Sequence, residues 1–345
     1  MNRLFVFACV SLVAALAHAQ PAAGPPTGPA PTGLVVGSGN FFSPIVAKLD
    51  AAVAFYRDGI GFEVPGEPAN ADKNPQLRAM FGLPNARLRW QIARSPRIQG
   101  GGVEIVEISG AGGRRVDRKM QDPGTVMLEV VLRDLDGTLA RLSKLKAPIV
   151  TTGGAPVNVG GPQGVRVIVV KDPAGHFVEL VQPPMLPPTL VPENVFGVIV
   201  RHTVANLERA VALYRGELGL AGPADVPPYY SEPTVLDLLG LPHDVEYRFT
   251  RLIVPTSGLG IELIEFKGTS PAKPANIADP GATRLQLRVQ DIDAAVATLT
   301  KAGGTFISTG GKPLDLPAGA STLKVGIVRD PDNLFLVLIQ APPAP

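Results

Sequence analysis

The chain repeats itself once, and this repeat limits the folds open to its 345 residues more than any other feature. Phe55-Tyr56 recurs 158 residues later as Leu213-Tyr214, and three further pairs of motifs keep the same offset. They are Phe81 to Pro84 with Leu239 to Pro242, Val103 to Glu107 with Ile261 to Glu265, and Lys171 to Pro173 with Arg329 to Pro331. A repeat of this length is a whole domain. The sequence therefore predicts two homologous domains, 40–183 and 196–341, joined by a proline-rich linker, 184–195.

The N-terminus has the pattern of a cleavable secretory signal. Arg3 precedes a run from Leu4 to Leu16 that is apolar except for Ser11, and Ala17-His18-Ala19 is a small-x-small cleavage site. The run is shorter than the roughly 20 apolar residues that span a bilayer. We therefore expect residues 1–19 to be removed, a periplasmic or secreted protein without a membrane partner, and a flexible Pro/Ala-rich lead over 20–39.

Composition restricts the chemistry of the mature chain. Cleavage removes Cys9, the only cysteine, and leaves three histidines, His176, His202 and His243. A thiol nucleophile, a cysteine-ligated zinc and a disulfide scaffold are thereby excluded. Lys and Arg number 32 against 30 Asp and Glu, so a basic nucleic-acid-binding surface is not expected and the sequence predicts no nucleic-acid partner.

Hydrophobic periodicity changes in the same order in each half. A strand pattern is followed by a helical i, i+4, i+7 stripe and then by further strands, twice per domain, as in Leu49, Val53 and Tyr56. Asp134 and Asp291 stand where the N-caps of the second helices are expected. The order predicts an α+β fold.

Several of these motifs together resemble the vicinal oxygen chelate superfamily, which includes glyoxalase I, bleomycin resistance proteins and extradiol dioxygenases. They are Val204 to Gly219 (VANLERAVALYRGELG), the Gly-Leu-Pro turns, Gly260 to Glu265 (GIELIE) and Asp172 to Leu180 (DPAGHFVEL). The resemblance implies tandem domains, each of two βαβββ modules that form a curled, cup-like mixed sheet with flanking helices. In catalytic members the cup holds a divalent metal that chelates two substrate oxygens.

The resemblance also implies where the metal ligands would stand. The histidine positions are occupied by Phe41 and Met127 in the first half and by Ile199 and Arg284 in the second. The carboxylate positions are occupied by Glu104 and Glu179, and by Glu262 and Val337. Because the expected positions hold no histidine, we expect no cofactor of the usual His-ligated kind, and structural or surface roles for the three histidines.

One metal hypothesis remains. If the alternating faces of their strands line one cup, Glu104, Glu129 and Glu179 converge there. Such an oxygen-only set suits Mg²⁺, Mn²⁺ or Ca²⁺. The alternative is that these glutamates pair with Arg87 or Arg89 or point to solvent.

In the second half, Arg284, Gln286 and Arg288 alternate on one strand face and predict a ligand-binding surface with Glu262. Arg284 can grip an anionic ligand through its fork of donors, or pair with Glu262 and close the emptied site. Tyr229-Tyr230 and a short helix at Val235–Gly240 are expected to cover this cup, and Pro75–Gly82 to cover the other. Tyr230 is therefore a further ligand-binding candidate.

Two functional hypotheses follow. The first is an exported protein that binds a small oxygenated metabolite in its cups without the usual metal. The second is an active lyase, isomerase or dioxygenase that uses a carboxylate-only metal site, or Glu104 or Glu179 as a general base.

Overall fold

A computed structural model describes residues 33–98, 101–160, 164–184, 193–270, 273–319 and 321–342. The expected signal peptide, residues 20–32 of the lead and residues 185–192 of the linker lie outside these ranges. No helix in the described part of the chain has the length and apolar character needed to cross a membrane.

The first half of the chain contains two modules of strands and helices. Module one comprises β1 (Val35–Ser38), β2 (Ser43–Val46), α1 (Leu49–Ala54), β3 (Ala69–Asn70), α2 (Pro75–Met80), β4 (Arg87–Ala93) and β5 (Val103–Ser109). Module two comprises β6 (Val126–Leu132), α3 (Leu135–Lys144), β7 (Val157–Val159), β8 (Val165–Lys171) and β9 (Phe177–Gln182).

The second half repeats this order. Module three comprises β10 (Val195–Thr203), α4 (Leu207–Val211), α5 (Pro233–Leu239), β11 (Tyr247–Ile253) and β12 (Gly260–Phe266). Module four comprises β13 (Thr283–Val289), α6 (Ile292–Lys301), β14 (Thr305–Phe306), β15 (Leu314–Ala318), β16 (Ser321–Arg329) and β17 (Phe335–Gln340). The α+β class and the strand–helix–strand modules are confirmed.

The modules combine across the two halves. Sheet one has the strand order β14-β16-β17-β13-β2-β5-β4-β3, with β1 beside β13 and β15 beside β16, so it joins modules one and four. Sheet two has the order β11-β12-β10-β6-β9-β8-β7 and joins modules two and three. The expectation that each half closes its own sheet is wrong, because β2 pairs antiparallel with β13 and β6 pairs antiparallel with β10.

Capping residues set the helix ends. Asp134 and Asp291 accept hydrogen bonds from the Gly137 and Ala294 amides, as expected for N-caps. Helices α1 and α4 widen into π-helical turns, Phe55–Ile60 and Ala212–Glu217, that the periodicity does not predict. The first of these ends at Gly61, whose φ of 102° is the left-handed conformation that favours glycine.

The two faces of each sheet have different environments. The helix-bearing faces of both sheets and helices α1, α3, α4 and α6 form one continuous hydrophobic core. The opposite faces, which we call cup one (sheet one) and cup two (sheet two), contain separate apolar clusters. Cup one is packed by α2 and cup two by α5.

One boundary differs from the sequence expectation. Val35–Ser38 form β1, which pairs antiparallel with β13 through Val35 and Val289. The flexible lead expected over 20–39 therefore does not include these residues. The pairing gives the backbone groups of this segment partners in sheet one.

Candidate functional site

Cup two contains a largely buried cluster of five ionisable side chains, one from each of five adjacent strands. The register of the strands brings these side chains together. Glu129 is the cross-strand partner of Glu179, and Glu262 is the cross-strand partner of both Arg201 and Arg251. Each side chain occupies the same face of the sheet, since successive residues of a strand alternate. The sheet therefore places three carboxylates and two guanidinium groups together.

Arg201 lies at the centre of this cluster. Its Nη1 donates to Glu179 Oε2 at 2.6 Å, its Nε donates to Glu262 Oε1, and its Nη2 lies 3.9 Å from Glu129 Oε2. Arg251 donates to the other Glu262 oxygen at 3.3 Å. The guanidinium of Arg201 thus connects two carboxylates of different modules through charge-assisted hydrogen bonds.

Glu129 differs from the other two acids. Its side chain is fully buried, and neither carboxyl oxygen has a hydrogen-bond partner. Burial, followed by repulsion from Glu179, raises the pKa of Glu129 to about 8. At pH 7 the group is therefore mostly protonated, and a neutral carboxylic acid can donate one hydrogen bond.

The remaining acids divide according to their arginine contacts. Burial and the nearby Glu262 raise the pKa of Glu179 in spite of Arg201. Burial also acts on Glu262, but Arg201 and Arg251 together hold its pKa below its usual range. Glu179 and Glu262 are thus the two acids that hydrogen-bond to the arginines, whereas Glu129 has no such bond.

Cup one has a smaller and more completely bonded polar group. Glu104 Oε2 accepts from Arg284 and Gln286 at 3.0 Å each and from the Ser43 hydroxyl at 3.3 Å. The Gln286 carbonyl oxygen accepts from the Asn40 amide at 3.0 Å. Arg284 is almost fully buried, and its guanidinium lies 4.6 Å from the centre of the Phe81 ring.

The pairing of modules corrects two sequence predictions. Glu104 belongs to sheet one, whereas Glu129 and Glu179 belong to sheet two, so these three do not converge on one metal. Arg284 pairs with Glu104 and not with Glu262. Both corrections have one cause. Strand β13 of module four pairs with β2 of module one, and not with a strand of module three.

The other candidates have different surroundings. Arg288 is exposed, at the end of β13 that lies beside β1. Tyr230 packs in cup two, with its ring 4.6 Å from Tyr247 and 6.3 Å from Phe249. Arg89 lies 3.6 Å from Glu107, on the helix-bearing face, and does not reach Glu104. Sheet one also has a cavity of about 630 Å³ on that side, lined by Arg87, Arg89 and Glu107 among others.

The covering helices are attached to the opposite module. Ser308 donates to the carbonyl of Met80 in α2 at 2.6 Å, and Thr151 donates to the carbonyl of Leu238 in α5 at 2.9 Å. Tyr230 and α5 cover cup two, which contains Glu262 but not Arg284. The prediction that they also cover Arg284 is wrong, because Arg284 belongs to sheet one and Glu262 to sheet two.

The histidines do not line either group of charges. His176 lies with Nδ1 3.1 Å from Asp172 and donates through Nε2 to the Ala282 carbonyl at 3.1 Å. His202 is buried on the helix side of β10, with Nδ1 3.9 Å from Asp330. His243 pairs with Asp237 at the surface. The structural or surface roles expected for these histidines stay a prediction.

A bound divalent metal does not fit the donor set of cup two. Met127 and Ile199 offer it no nitrogen or oxygen, and the two carboxylates best placed for a metal already bind Arg201. In the described ranges, no three His, Cys, Asp or Glu side chains are arranged to hold a metal ion. A cation at this place would compete with a guanidinium.

Sequence reasoning missed Arg201. The residue lies two positions after Ile199, so strand alternation places both on the cup face, and this signal was available. The next residue, His202, lies on the opposite face of the strand, as alternation predicts. Arg251 lies on β11 and is the cross-strand partner of Glu262 on β12, so its side chain is on the same face of the sheet.

Comparisons with known proteins agree with this architecture. Residues 40–180 match the family model of the Glyoxalase/Bleomycin resistance protein/Dioxygenase superfamily. Glyoxalase I from Zea mays is 17% identical with a TM-score of 0.58, over 88% of this chain and 92% of that chain. A putative dioxygenase from Bacillus subtilis subsp. subtilis str. 168 is 13% identical with a TM-score of 0.51, over 91% of this chain and 87% of that chain. A search of curated proteins found no match.

At these identities the solved structures establish the fold alone. The family model covers the first half, and the second half repeats the same modules at an offset of 158 residues. Residues 40–180 therefore match the model of the glyoxalase, bleomycin resistance protein and dioxygenase superfamily, and the chain as a whole shares the fold of Zea mays glyoxalase I.

Proposed function

We propose that this protein binds a small, uncharged, oxygen-bearing molecule in cup two, without a His-ligated metal. The observation that carries the proposal is the unused hydrogen-bonding capacity of Glu129. A buried polar group without a partner costs free energy, and a bound ligand that supplies the partner recovers it. In cup one, by contrast, Glu104 and Gln286 are hydrogen-bonded to protein groups.

The surroundings of Glu129 define the chemistry of the ligand. The Nε of Arg251 is also buried without a partner, and the Arg251 side chain is 20% exposed, which places it towards the solvent side of the cluster. Tyr247, Phe249 and Phe266 supply apolar surface in the same cup. Because Arg201 and Arg251 already hydrogen-bond to Glu179 and Glu262, a neutral ligand with a carbonyl or hydroxyl oxygen suits the site better than an anion.

Thermal unfolding of the mature chain tests this proposal with defined probes. Hydroxyacetone and catechol are the neutral probes, and pyruvate is the anionic one. We expect a neutral probe to raise the Tm, and the rise to disappear in Glu129→Leu, which keeps the volume but removes the hydrogen-bonding group. Glu104→Gln, in cup one, retains the rise. A rise that survives Glu129→Leu, or one that Glu104→Gln abolishes, places binding elsewhere.

One observation favours an enzymatic alternative. A carboxyl group whose pKa is about 8 can donate and accept a proton near neutral pH, as a general acid–base catalyst must. Glu104 and Glu179 are held by arginines, so the acid–base role belongs to Glu129 in this alternative. It requires that a bound probe be converted, and that Glu129→Gln abolish turnover while it keeps binding. Recovery of every probe unchanged contradicts it.

We further propose that the protein functions outside the cytoplasm after removal of residues 1–19. The support is the charged, apolar and small-residue pattern of that segment. N-terminal sequencing of the protein from the extracytoplasmic fraction is expected to begin at Gln20. Recovery of Met1 from the cytoplasmic fraction contradicts the assignment.

A further inference from the structure

We propose that the cavity on the helix-bearing face of sheet one binds a small phenol. The phenol ring lies against the guanidinium of Arg89, and the phenol hydroxyl donates a hydrogen bond to Glu107. This site is separate from the function proposed for cup two, because the cavity belongs to sheet one and Glu129 to sheet two. The proposal follows from the internal repeat, since module three fills the corresponding place with a tyrosine of its own.

The same arginine–glutamate pair occurs in modules one and three. Arg89 is the cross-strand partner of Glu107, and Arg248 is the cross-strand partner of Glu265. Each glutamate also accepts a hydrogen bond through Oε2 from the first amide of the neighbouring helix, at 2.8 Å from α1 and 2.9 Å from α4. The two pairs therefore have equivalent positions between sheet and helix.

In module three a tyrosine ring completes this arrangement. The guanidinium of Arg248 lies 4.3 Å from the centre of the Tyr229 ring, and the Tyr229 hydroxyl donates to Glu265 Oε1 at 2.6 Å. Arg248 also donates to Glu265 at 2.8 Å and to both Glu208 oxygens at 2.7 Å. Only 12% of its side chain is exposed. A phenol thus fits this pair through a cation–π contact and a charge-assisted hydrogen bond.

Module one has an asparagine where module three has that ring. Asn70 occupies the position of Tyr229, because in both modules the amide of the next residue donates to the carbonyl of the residue before the arginine. Arg89 lies 3.6 Å from Glu107 and 3.8 Å from Asp50, and 46% of its side chain is exposed. Both distances exceed those of hydrogen bonds. Within the described ranges, no hydroxyl group donates to Glu107 Oε1.

The place of the ring is therefore open to a ligand. The cavity of about 630 Å³ is lined by Asn70, Arg89 and Glu107, among others. Its volume lies in the range that is usual for small-molecule sites. A free phenol offers the same ring and the same hydroxyl donor as Tyr229. An aliphatic alcohol lacks the ring, and a carboxylate lacks the donor and is repelled by Glu107.

Calorimetric titration of the full mature chain with p-cresol, which is the tyrosine side chain without its backbone, tests the site. Asn70→Tyr adds to module one the ring that module three has, and Asn70→Ala is the matched control at the same exposed position. We expect p-cresol to bind Asn70→Ala about as tightly as the wild type, and Asn70→Tyr on the order of 10-fold more weakly. The methyl ether of p-cresol, which has no hydroxyl proton, should bind the wild type about 10-fold more weakly than p-cresol.

Module three supplies the converse experiment. Tyr229→Ala removes the ring from its own pair and should lower the Tm. We expect p-cresol to raise the Tm of Tyr229→Ala by more than it raises the Tm of the wild type, because the variant offers two sites. Tyr229→Phe is the control, since it keeps the ring in place and should show no additional rise.

The opposite results overturn the proposal. Equal affinity of p-cresol for the wild type and Asn70→Tyr would show that the phenol does not bind beside Arg89, and equal affinity for p-cresol and its methyl ether would show that no hydroxyl donates to Glu107. An equal rise in Tm for Tyr229→Ala and the wild type would refute the equivalence of the two places. Binding of p-cresol in cup two would respond to Glu129→Leu and not to Asn70→Tyr, so failure of either proposal is distinguishable from failure of the other.

Discussion

Replacement of Glu129 by glutamine should stabilise the protein, and the gain should increase with pH. The side chain is fully buried, has no hydrogen-bond partner, and has a pKa of about 8 against 4.5 for an ordinary glutamate. The folded state therefore holds a proton that the unfolded state releases between these two values. The stability that this bound proton contributes is fully present below the pKa of the unfolded state. It is lost as the pH rises through the pKa of the folded state.

The two pKa values determine the size of the effect. One pKa unit corresponds to about 1.4 kcal/mol, so the cost of Glu129 is below roughly 1 kcal/mol at pH 5 and reaches roughly 3 kcal/mol at pH 7. It levels off between about 4 and 5 kcal/mol above pH 8, where the folded state also loses the proton. Glutamine has nearly the same shape and no ionisable proton, and therefore avoids this cost.

Urea unfolding of the wild type and Glu129→Gln at pH 5, 7 and 9 measures the difference directly. Comparison at pH 5 is the internal control, because residue 129 is then almost neutral in both folded proteins. The m-values must agree for the difference to report stability. Two stability curves that stay parallel from pH 5 to pH 9 would show that Glu129 does not hold a proton in the folded state, and the reasoning would fail.

Two further substitutions test how the modules are held. Gly240→Ala should lower the free energy of unfolding in urea by roughly 1–3 kcal/mol more than Gly258→Ala. Both glycines have positive φ, but only at Gly240 would a Cβ lie 2.5 Å from a carbonyl oxygen of the opposing module. Equal losses would contradict this. Tyr214→Phe removes the 2.6 Å hydrogen bond to the buried Asp330 and should cost about 1–3 kcal/mol in the same assay. A change below about 0.5 kcal/mol would contradict that role.

Local features of the fold were predictable because they depend on nearby residues. The helix starts at Asp134 and Asp291 follow from side chains that cap amides three residues later. The faces of Glu129, Glu179 and Glu262 follow from the alternation of each strand. The repeat predicted four modules of one design. These inferences need no knowledge of which strands meet across the molecule.

The choice of partner module was not predictable in the same way. The strand before the first helix of each module, β2, β6, β10 or β13, has an apolar pattern that is compatible with either neighbour. Periodicity therefore does not distinguish the pairing within a half from the pairing between halves. The structure pairs β13 with β2 and β10 with β6. That choice separates Glu104 from Glu179 and brings Glu179 to Glu262. The composition of both sites therefore depended on contacts between distant parts of the chain.

The two cups have in common a requirement for a positive charge and not a particular residue position. Glu104 and Glu262 are equivalent in the repeat, and each hydrogen-bonds to a guanidinium. The guanidinium comes from Arg284 on β13 in cup one and from Arg201 on β10 in cup two. In the repeat, the position of Arg201 is occupied by Ser43 in cup one, and the position of Arg284 is occupied by Met127 in cup two. A buried carboxylate needs a compensating charge wherever that charge originates. Among the described residues, cup two has two more carboxyl groups than cup one but only one additional arginine, so Glu129 has no cationic hydrogen-bond donor and its raised pKa favours the protonated form.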